Sequence, residues 1–374
     1  MVNPNLTTTF VFGFGRKEKL TSNDFQAKEF FYGYEYFTQK YNTLIIEMEH
    51  FDHKGNRFLS FFDRVIRKLT ELPIYTKDIL SLKNFLILKK TDKLILTTEL
   101  LGLSLLPLIL LTKLFRNIDI YVIVMGLFGR NPSNKLILLF QRTTIGLLSK
   151  VVTNYIFIGK GEFLEAQRQN RKIKSKFVYM PFSVDTNFWS PPKNHDLKDN
   201  NEILFVGNDG KRDYKLLLKI AETLEDFNFT IITNQIKNCD LENVNLIQGN
   251  WGKGILTDQQ MKNFYQNSLI TIIPIRETFQ PSGQSVALQS IACGTPVLIS
   301  KTSGFWDKDL FKDGDNIFFV KENNTNSWEV EINKLYKNKS ALENCSLNGI
   351  KTVKEHLDLT KFSQNLYRLV TEAE

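Results

Sequence analysis

The sequence predicts an α/β protein built as two consecutive doubly wound domains, and three observations carry that prediction. Short β-rich runs alternate with longer helical patterns in both halves of the chain. The alternation is interrupted once, between residues 181 and 200. A chain of 374 residues with 42% hydrophobic side chains is also long for a single core and apolar enough to fill two.

In the first half, "TFVFGF" (9–14), "TLIIEM" (43–48), "KLILTT" (93–98), "IDIYVIVM" (118–125), "YIFIG" (155–159) and "KFVYM" (176–180) read as strands. Helical segments separate several of them, the pattern of strand–helix–strand units on a parallel sheet. Residues 25–37, "FQAKEFFYGYEYF", place Phe30, Phe31 and Tyr34 at the spacing of one packed helix face. The most apolar segment, "LLGLSLLPLILLT" (100–112), contains Pro107 and falls short of the ~20 residues a bilayer crossing needs, so it reads as a buried helix. In "PFSVDTNFWSPPKNHDLKDN" (181–200), Pro, Asn and Asp accumulate and apolar periodicity stops, which marks the linker. The rhythm then restarts with "EILFVG" (202–207), "FTIIT" (229–233), "VNLIQG" (244–249), "LITIIPI" (269–275), "PVLIS" (296–300) and "NIFFV" (316–320). The expected division is 1–185 and 186–355, with a closing helix over 356–374 whose Phe362, Leu366 and Val370 form an apolar seam.

The formal charge of +8 points to an acidic partner: nucleotide phosphates, an anionic membrane surface or a nucleic acid. No RNA-binding motif accompanies the aromatic residues, so no nucleic-acid partner is expected. Cys239, Cys293 and Cys345 have no metal-like spacing, and His50, His53, His195 and His356 are dispersed, so no metal site is expected. Asp313 and Asp315 flank Gly314 in "KDGDN", the composition of a tight turn. The amino terminus lacks a leader's apolar run and cleavage site, so the expected location is cytoplasmic. The basic run "RQNRKIKSK" (168–176) reads as solvated surface, its alternative being contact with an anionic membrane at the inner face.

Ligands of doubly wound sheets bind beyond the carboxyl ends of the strands. Two segments have the right form. In "ILFVGNDGKRDYKLLLKIAETL", a strand stops at Gly207 and a polar loop passes through Asn208 and Gly210, with Lys211 and Arg212 preceding a helix of one apolar face. Glycines admit a phosphate to the backbone, a helix start favours its charge, and two cations neutralise it. In "ETFQPSGQSVALQSIACGTPV" (277–297), a polar elbow follows a strand and enters a helix. Ser282, Ser285 and Gln289 fall on its polar face and Ser282 is suited to cap it, while Gln284, Ser285 and Gln289 crowd the same end.

"SVALQSIACGTPVLIS", "MPFSVDTNFWSP" and "ILFVGNDGKRDY" together resemble the carboxyl-terminal half of retaining GT-B glycosyltransferases, particularly the family 4 group. The resemblance spans about half the chain; the first half matches in its strand–helix rhythm and its Gly13/Gly15 loop. It implies the GT-B architecture, two Rossmann-like domains facing a central cleft, with the closing helix returning to the first domain. It further implies metal-independent transfer of a sugar from a nucleotide-diphosphate sugar to a glycan or lipid-linked glycan, with retention of configuration, in the setting of polysaccharide biosynthesis. No cofactor beyond that donor is implied. On matching positions, Lys211 and Arg212 hold the donor diphosphate and Gln289 sits where the family's second motif glutamate contacts ribose. Gly13, Gly15, Gly207, Asn208, Gln280, Ser282, Gly283, Gln284 and Ser285 complete the expected donor site, with Arg16 and Lys17 near its phosphate. The chain departs from the family pattern at Pro281, which replaces the first motif glutamate, and at Gln289, which replaces the second; Glu277 is the candidate substitute. Where relatives place a histidine late in the first domain, this chain has Met125. These departures motivate the alternative of a catalytically weak nucleotide-sugar-binding protein; a GT-B-fold nucleotide-sugar epimerase is a further alternative, for which the sequence shows no convincing acid and base set.

Overall fold

The computed structural model describes residues 3–22, 26–50, 56–130, 132–193, 200–248 and 256–372. The first domain runs β1 (Asn3–Phe12), α1 (Arg16–Lys19), α2 (Tyr34–Thr38), β2 (Tyr41–Glu47), α3 (Arg57–Thr70), α4 (Leu82–Leu88), β3 (Lys93–Leu96), α5 (Glu99–Lys113), β4 (Asp119–Val124), α6 (Lys135–Val151), β5 (Asn154–Phe157), α7 (Lys160–Gln169) and β6 (Phe177–Tyr179). The second runs β7 (Glu202–Val206), α8 (Tyr214–Thr223), β8 (Asn228–Ile232), β9 (Val244–Ile247), α9 (Asp258–Asn267), β10 (Ile270–Ile273), α10 (Gln284–Ala292), β11 (Val297–Ser300), β12 (Phe318–Val320), α11 (Thr325–Lys337) and α12 (Lys339–His356), and α13 (Leu359–Thr371) closes the chain. Every β-rich run of the sequence becomes a strand.

All strand pairs are parallel, in the orders β2-β1-β3-β4-β5-β6 and β12-β11-β10-β7-β8-β9. Helices cover both faces of such sheets, which is why β3, β10 and β11 are buried at every position. In the second sheet the strand order reverses between the neighbours β7 and β10. The loops leaving those two strands are the Lys211–Arg212 loop and the polar elbow, so the fold itself brings the two sequence segments together.

Residues 100–112 lie in α5, buried through Leu101, Leu105 and Ile109 and still helical at Pro107. Among the described residues, no helix is long and apolar enough to cross a membrane. The single helix expected over 25–37 does not form. Tyr32 and Gly33 adopt φ of 49° and 79°, splitting the described part into a 3₁₀ turn, Glu29–Phe31, and α2. Phe31 and Phe37 remain core residues, while Phe30 is released toward the cleft. Gly314 makes the expected turn, its N–H reaching Ile317 O at 2.9 Å while Asp313 Oδ1 accepts from Phe319 N–H. His53 and His195 lie outside the described residues.

Helix α13 lies on the first domain. Phe362, Leu366 and Val370 are buried, and the Tyr367 ring stacks on Tyr41 with centroids 5.6 Å apart. Leu359 N–H donates to Val184 O at 2.9 Å. One apolar cluster runs through the junction from Phe10 and Phe31 to Trp189, Tyr265 and Leu288. The two domains therefore share buried surface rather than only a linker.

Candidate active site

Between the domains lie two adjoining cavities, of about 730 Å³ and about 240 Å³, which share Phe30, Asp209, Arg212 and Ser285 in their walls. Lys211, Glu277, Gln280, Ser282, Gly283 and Gln284 line the larger one; Gly207, Asn208 and Gln289 line the smaller. The structure thus gathers most of the expected donor residues at one place. Gly13 and Gly15 are not brought there. They turn the chain from β1 into α1, and neither lines either cavity. Arg16 and Lys17 are also absent from both walls: the Arg16 guanidinium lies over the Phe30 ring, and Lys17 is exposed, with its N–H on Glu47 Oε1.

The loops at the switch point are stitched to one another. Asp213 N–H donates to Pro274 O, Arg276 N–H to Lys211 O, and Arg212 pairs with Ile275 as an isolated antiparallel bridge. Asp209 Oδ1 accepts from the N–H groups of Lys211 and Arg212 at 2.8 and 3.1 Å, which shapes the turn. Arg212 is only 2% exposed. Its Nη1 donates to Ser282 Oγ at 3.0 Å and lies 3.4 Å from Asp209 Oδ2. Its Nε is buried with no acceptor. A buried donor without a partner is costly, and an anionic oxygen is the group that satisfies it best.

Ser282 does not cap α10. The capping position is Gly283, whose φ of 81° only glycine adopts readily, and the Ser282 hydroxyl instead donates to Asp209 Oδ2 at 2.9 Å. With no side-chain cap, the first-turn amides of α10 lack intrahelical acceptors at the wall of the larger cavity. The helix dipole adds positive potential there.

The elbow also reaches the first domain. Added Cβ atoms at Gly126, Gly129 and Gly159 would collide with Gln280, Phe279 and Pro281 respectively, so only glycine admits this approach. Gln284 Nε2 donates across the junction to Ile158 O at 3.0 Å. Glu277 is exposed in the larger cavity, with Oε1 accepting from Ser303 N–H at 3.0 Å. On the opposite wall, the loop after β4 holds Met125, where relatives of the resembled family carry histidine. Two buried carboxylates shape that loop: Glu99 Oε2 accepts from Met125 N–H and Glu162 Oε1 from Phe128 N–H, both at 3.0 Å. Burial raises both their pKa values, and the neighbouring Glu99 charge raises Glu162 further.

Sequence reasoning missed Glu29. This residue of the first domain is fully buried against the second, where its Oε1 accepts from Gln289 Nε2 at 2.7 Å and from Trp189 Nε1 at 2.8 Å. Tyr265 OH donates to Gln289 Oε1 at 3.1 Å. Ala27 N–H, two residues before, donates to Asp258 Oδ2 at the start of α9. Residues 27–30 therefore form a strap of the first domain beside the smaller cavity. Burial pushes the Glu29 carboxyl up to about 7, and its Oε2 has no partner. The position that carries a glutamate in the resembled family carries an amide here, and a carboxylate from the other domain stands against that amide. The only signal in the sequence was the departure at Gln289 itself. Among the described residues, no group of three His, Cys, Asp or Glu side chains is placed to hold a metal ion.

Residues 185–352 match the family model described as Glycosyl transferases group 1. The whole chain is similar in fold to the Anabaena protein HepE in complex with UDP-glucose, with 98% of this chain and 100% of that one covered, a TM-score of 0.68 and 10% identity. It is similar to sucrose-phosphate synthase from Thermosynechococcus elongatus over 99% and 100% of the two chains, with a TM-score of 0.69 and 12% identity. It is also similar to a mutant of S. aureus TarM in complex with fondaparinux, alpha-GlcNAc-glycerol and UDP over 76% and 56%, with a TM-score of 0.59 and 13% identity. No curated protein matches the sequence. The chain has the GT-B glycosyltransferase fold, and its second domain carries the match to group 1 glycosyl transferases.

Proposed function

We propose that the chain moves a sugar from a nucleoside-diphosphate sugar to a hydroxyl of a glycan or lipid-linked glycan, with retention of anomeric configuration. The observation that carries this reading is Arg212, a buried cation with an unsatisfied Nε–H in the shared wall of both cavities. Breaking the bond between the anomeric carbon and the diphosphate oxygen builds positive charge on the sugar and negative charge on the leaving group. Arg212, the Lys211 ammonium and the first-turn amides of α10 stabilise the leaving diphosphate as that charge develops. The smaller cavity, walled by Val206, Ile232 and Met261, takes the nucleoside. There Gln289 offers ribose its second amide N–H while Glu29 and Tyr265 fix its orientation.

Among the described residues, the carboxylates of the larger cavity are Glu71, Asp209 and Glu277, and each is engaged: Glu71 with Ser133 N–H, Asp209 with Ser282 and Arg212, Glu277 with Ser303 N–H. That supports attack from the leaving-group face over a covalent intermediate. HepE with UDP-glucose makes uracil the first base to try.

The test is calorimetry with UDP, GDP and ADP, and release of nucleotide from UDP-glucose, on wild type and Arg212→Lys. Lysine keeps the charge but loses the planar fork. One nucleoside diphosphate is expected to bind, with affinity at least tenfold weaker in the variant and turnover lower by on the order of 10²–10³-fold. Absence of nucleotide binding, or equal binding by the variant, overturns the reading. An inverted product by NMR overturns retention alone.

A further inference from the structure

Helix α3 presents its apolar stripe to solvent. Phe58, Phe61, Phe62, Val65 and Leu69 fall at i, i+3, i+4, i+7 and i+11, and they are 72, 62, 50, 38 and 40% exposed. The face turned to the protein holds Asp63 and Thr70, both buried, with only the half-buried Leu59 and Ile66 as its apolar members. Asp63 accepts from Thr76 Oγ1 at 2.6 Å and from Lys77 N–H at 3.1 Å. A surface helix normally does the reverse, so this stripe is not there to stabilise the fold.

Helix α6 packs beside α3; it buries Leu148 and Val151 in the core and also carries apolar side chains on its outer face. Leu136, Leu139, Phe140 and Leu147 are exposed, while Gln141 is buried and donates from Nε2 to Thr70 O at 3.3 Å. The exposed charges of the two helices are all positive: Arg57, Arg64, Lys68, Lys135, Arg142 and Lys150, the only acid being the buried Asp63. Aromatic and leucine side chains among cations match the interfacial layer of an anionic bilayer, where rings enter the headgroup region and cations meet lipid phosphates. At 14 residues, α3 spans about 21 Å, short of a crossing but suited to lying in the surface plane.

We propose that the α3–α6 face docks this protein on an anionic lipid bilayer. The basic run at 168–176, where the sequence offered a membrane contact as the alternative reading, is partly committed to the fold: Lys176 Nζ donates to Ser149 O and Val152 O at the end of α6. The docking face is continuous with the cleft. Glu71, directly after α3, and Gln141 of α6 both line the larger cavity. A docked molecule therefore holds the first-domain wall of its cleft beside the lipid headgroups. On the function proposed above, that position serves an acceptor whose lipid anchor stays in the bilayer. Docking itself requires no nucleotide, so the two readings fail separately.

The experiment is flotation of the full chain with vesicles of phosphatidylethanolamine and phosphatidylglycerol, and with phosphatidylcholine alone. It compares wild type, Phe61→Ser/Phe62→Ser, Leu139→Ser/Phe140→Ser and Arg64→Glu/Lys68→Glu, with nucleotide binding and thermal melting as fold controls. Wild type is expected to float with the anionic vesicles, each double variant to lose at least tenfold in vesicle partition with melting unchanged, and 0.5 M salt to weaken binding as the Debye length shortens from about 8 Å to about 4 Å. Failure of wild type to float, or flotation of all three variants equal to wild type, overturns the proposal. A wild-type dimer by light scattering that becomes monomeric in the phenylalanine variant without any vesicle binding also overturns it, in favour of a second copy covering the face.

Discussion

Helices α10 and α3 both carry polar and apolar stripes, and they use them in opposite ways. In α10 the residues from Val286 to Ala292 are buried, and the polar Gln284 and Gln289 are buried with them, each reaching across to the first domain. In α3 the polar Asp63 and Thr70 are inside and the phenylalanines are outside. Neither arrangement is what hydropathy alone produces. Buried amides and an exposed aromatic stripe both run against the local free-energy preference, so each marks a surface shaped for something other than the folded chain. The contrast extends to the domains. Among the described residues, the second domain exposes only Val330, Tyr336 and Leu347 as large apolar side chains, while the first exposes them along α3, α4, α5 and α6.

The contrast is sharpest if similar truncations are made in both helices. Leu288→Ala, at a fully buried position of α10, is expected to cost about 2–5 kcal/mol in denaturant unfolding, as transfer and cavity effects add. A cost below about 1 kcal/mol would mean that α10 is not the rigid base of the elbow.

Next in size is Glu29→Gln, which probes the link between the domains. The folded carboxyl is raised to about 7 by burial, above the usual 4.5, so the folded state holds its proton more tightly than the unfolded chain does. The stability tied to that proton is fully present below about 4.5 and is lost as pH rises through about 7. Melting temperatures of wild type are therefore expected to fall relative to Glu29→Gln across this window and to run parallel above it. Parallel curves throughout would show that Glu29 is not buried across the junction.

The smallest effect is expected from Phe62→Ala in α3. In solution its stability should stay within about 1 kcal/mol of wild type, because half of the ring is already exposed and alanine favours the helix. A cost comparable to Leu288→Ala would place the ring in a packed interface and erase the contrast between the helices.

The alternating runs foretold all twelve strands among the described residues, because a parallel strand covered on both faces must be apolar throughout and therefore stands out from a periodic helix. The loops ending in Lys211–Arg212 and Gly283 were legible for a similar reason: glycines and cations after a strand are local features. The segment 25–37 was misread as one helix because its aromatic spacing is helical, whereas the break at Gly33 answers to α13, whose Ser363 packs where a Cβ would stand. Ser282 was misread as a cap because Asp209, its partner, lies 73 residues away.

Composition and local spacing determined by themselves the two domains, the parallel sheets and the placing of the elbow after a strand, since each depends on neighbours a few residues apart. Tertiary structure alone decided that Glu29 meets Gln289 across 260 residues, that Arg212 is left with an unsatisfied donor, and that the phenylalanines of α3 face outward. A hydropathy pattern gives the period of a helix but not which stripe the rest of the molecule will cover, and a buried charge finds its partner only when the chain closes.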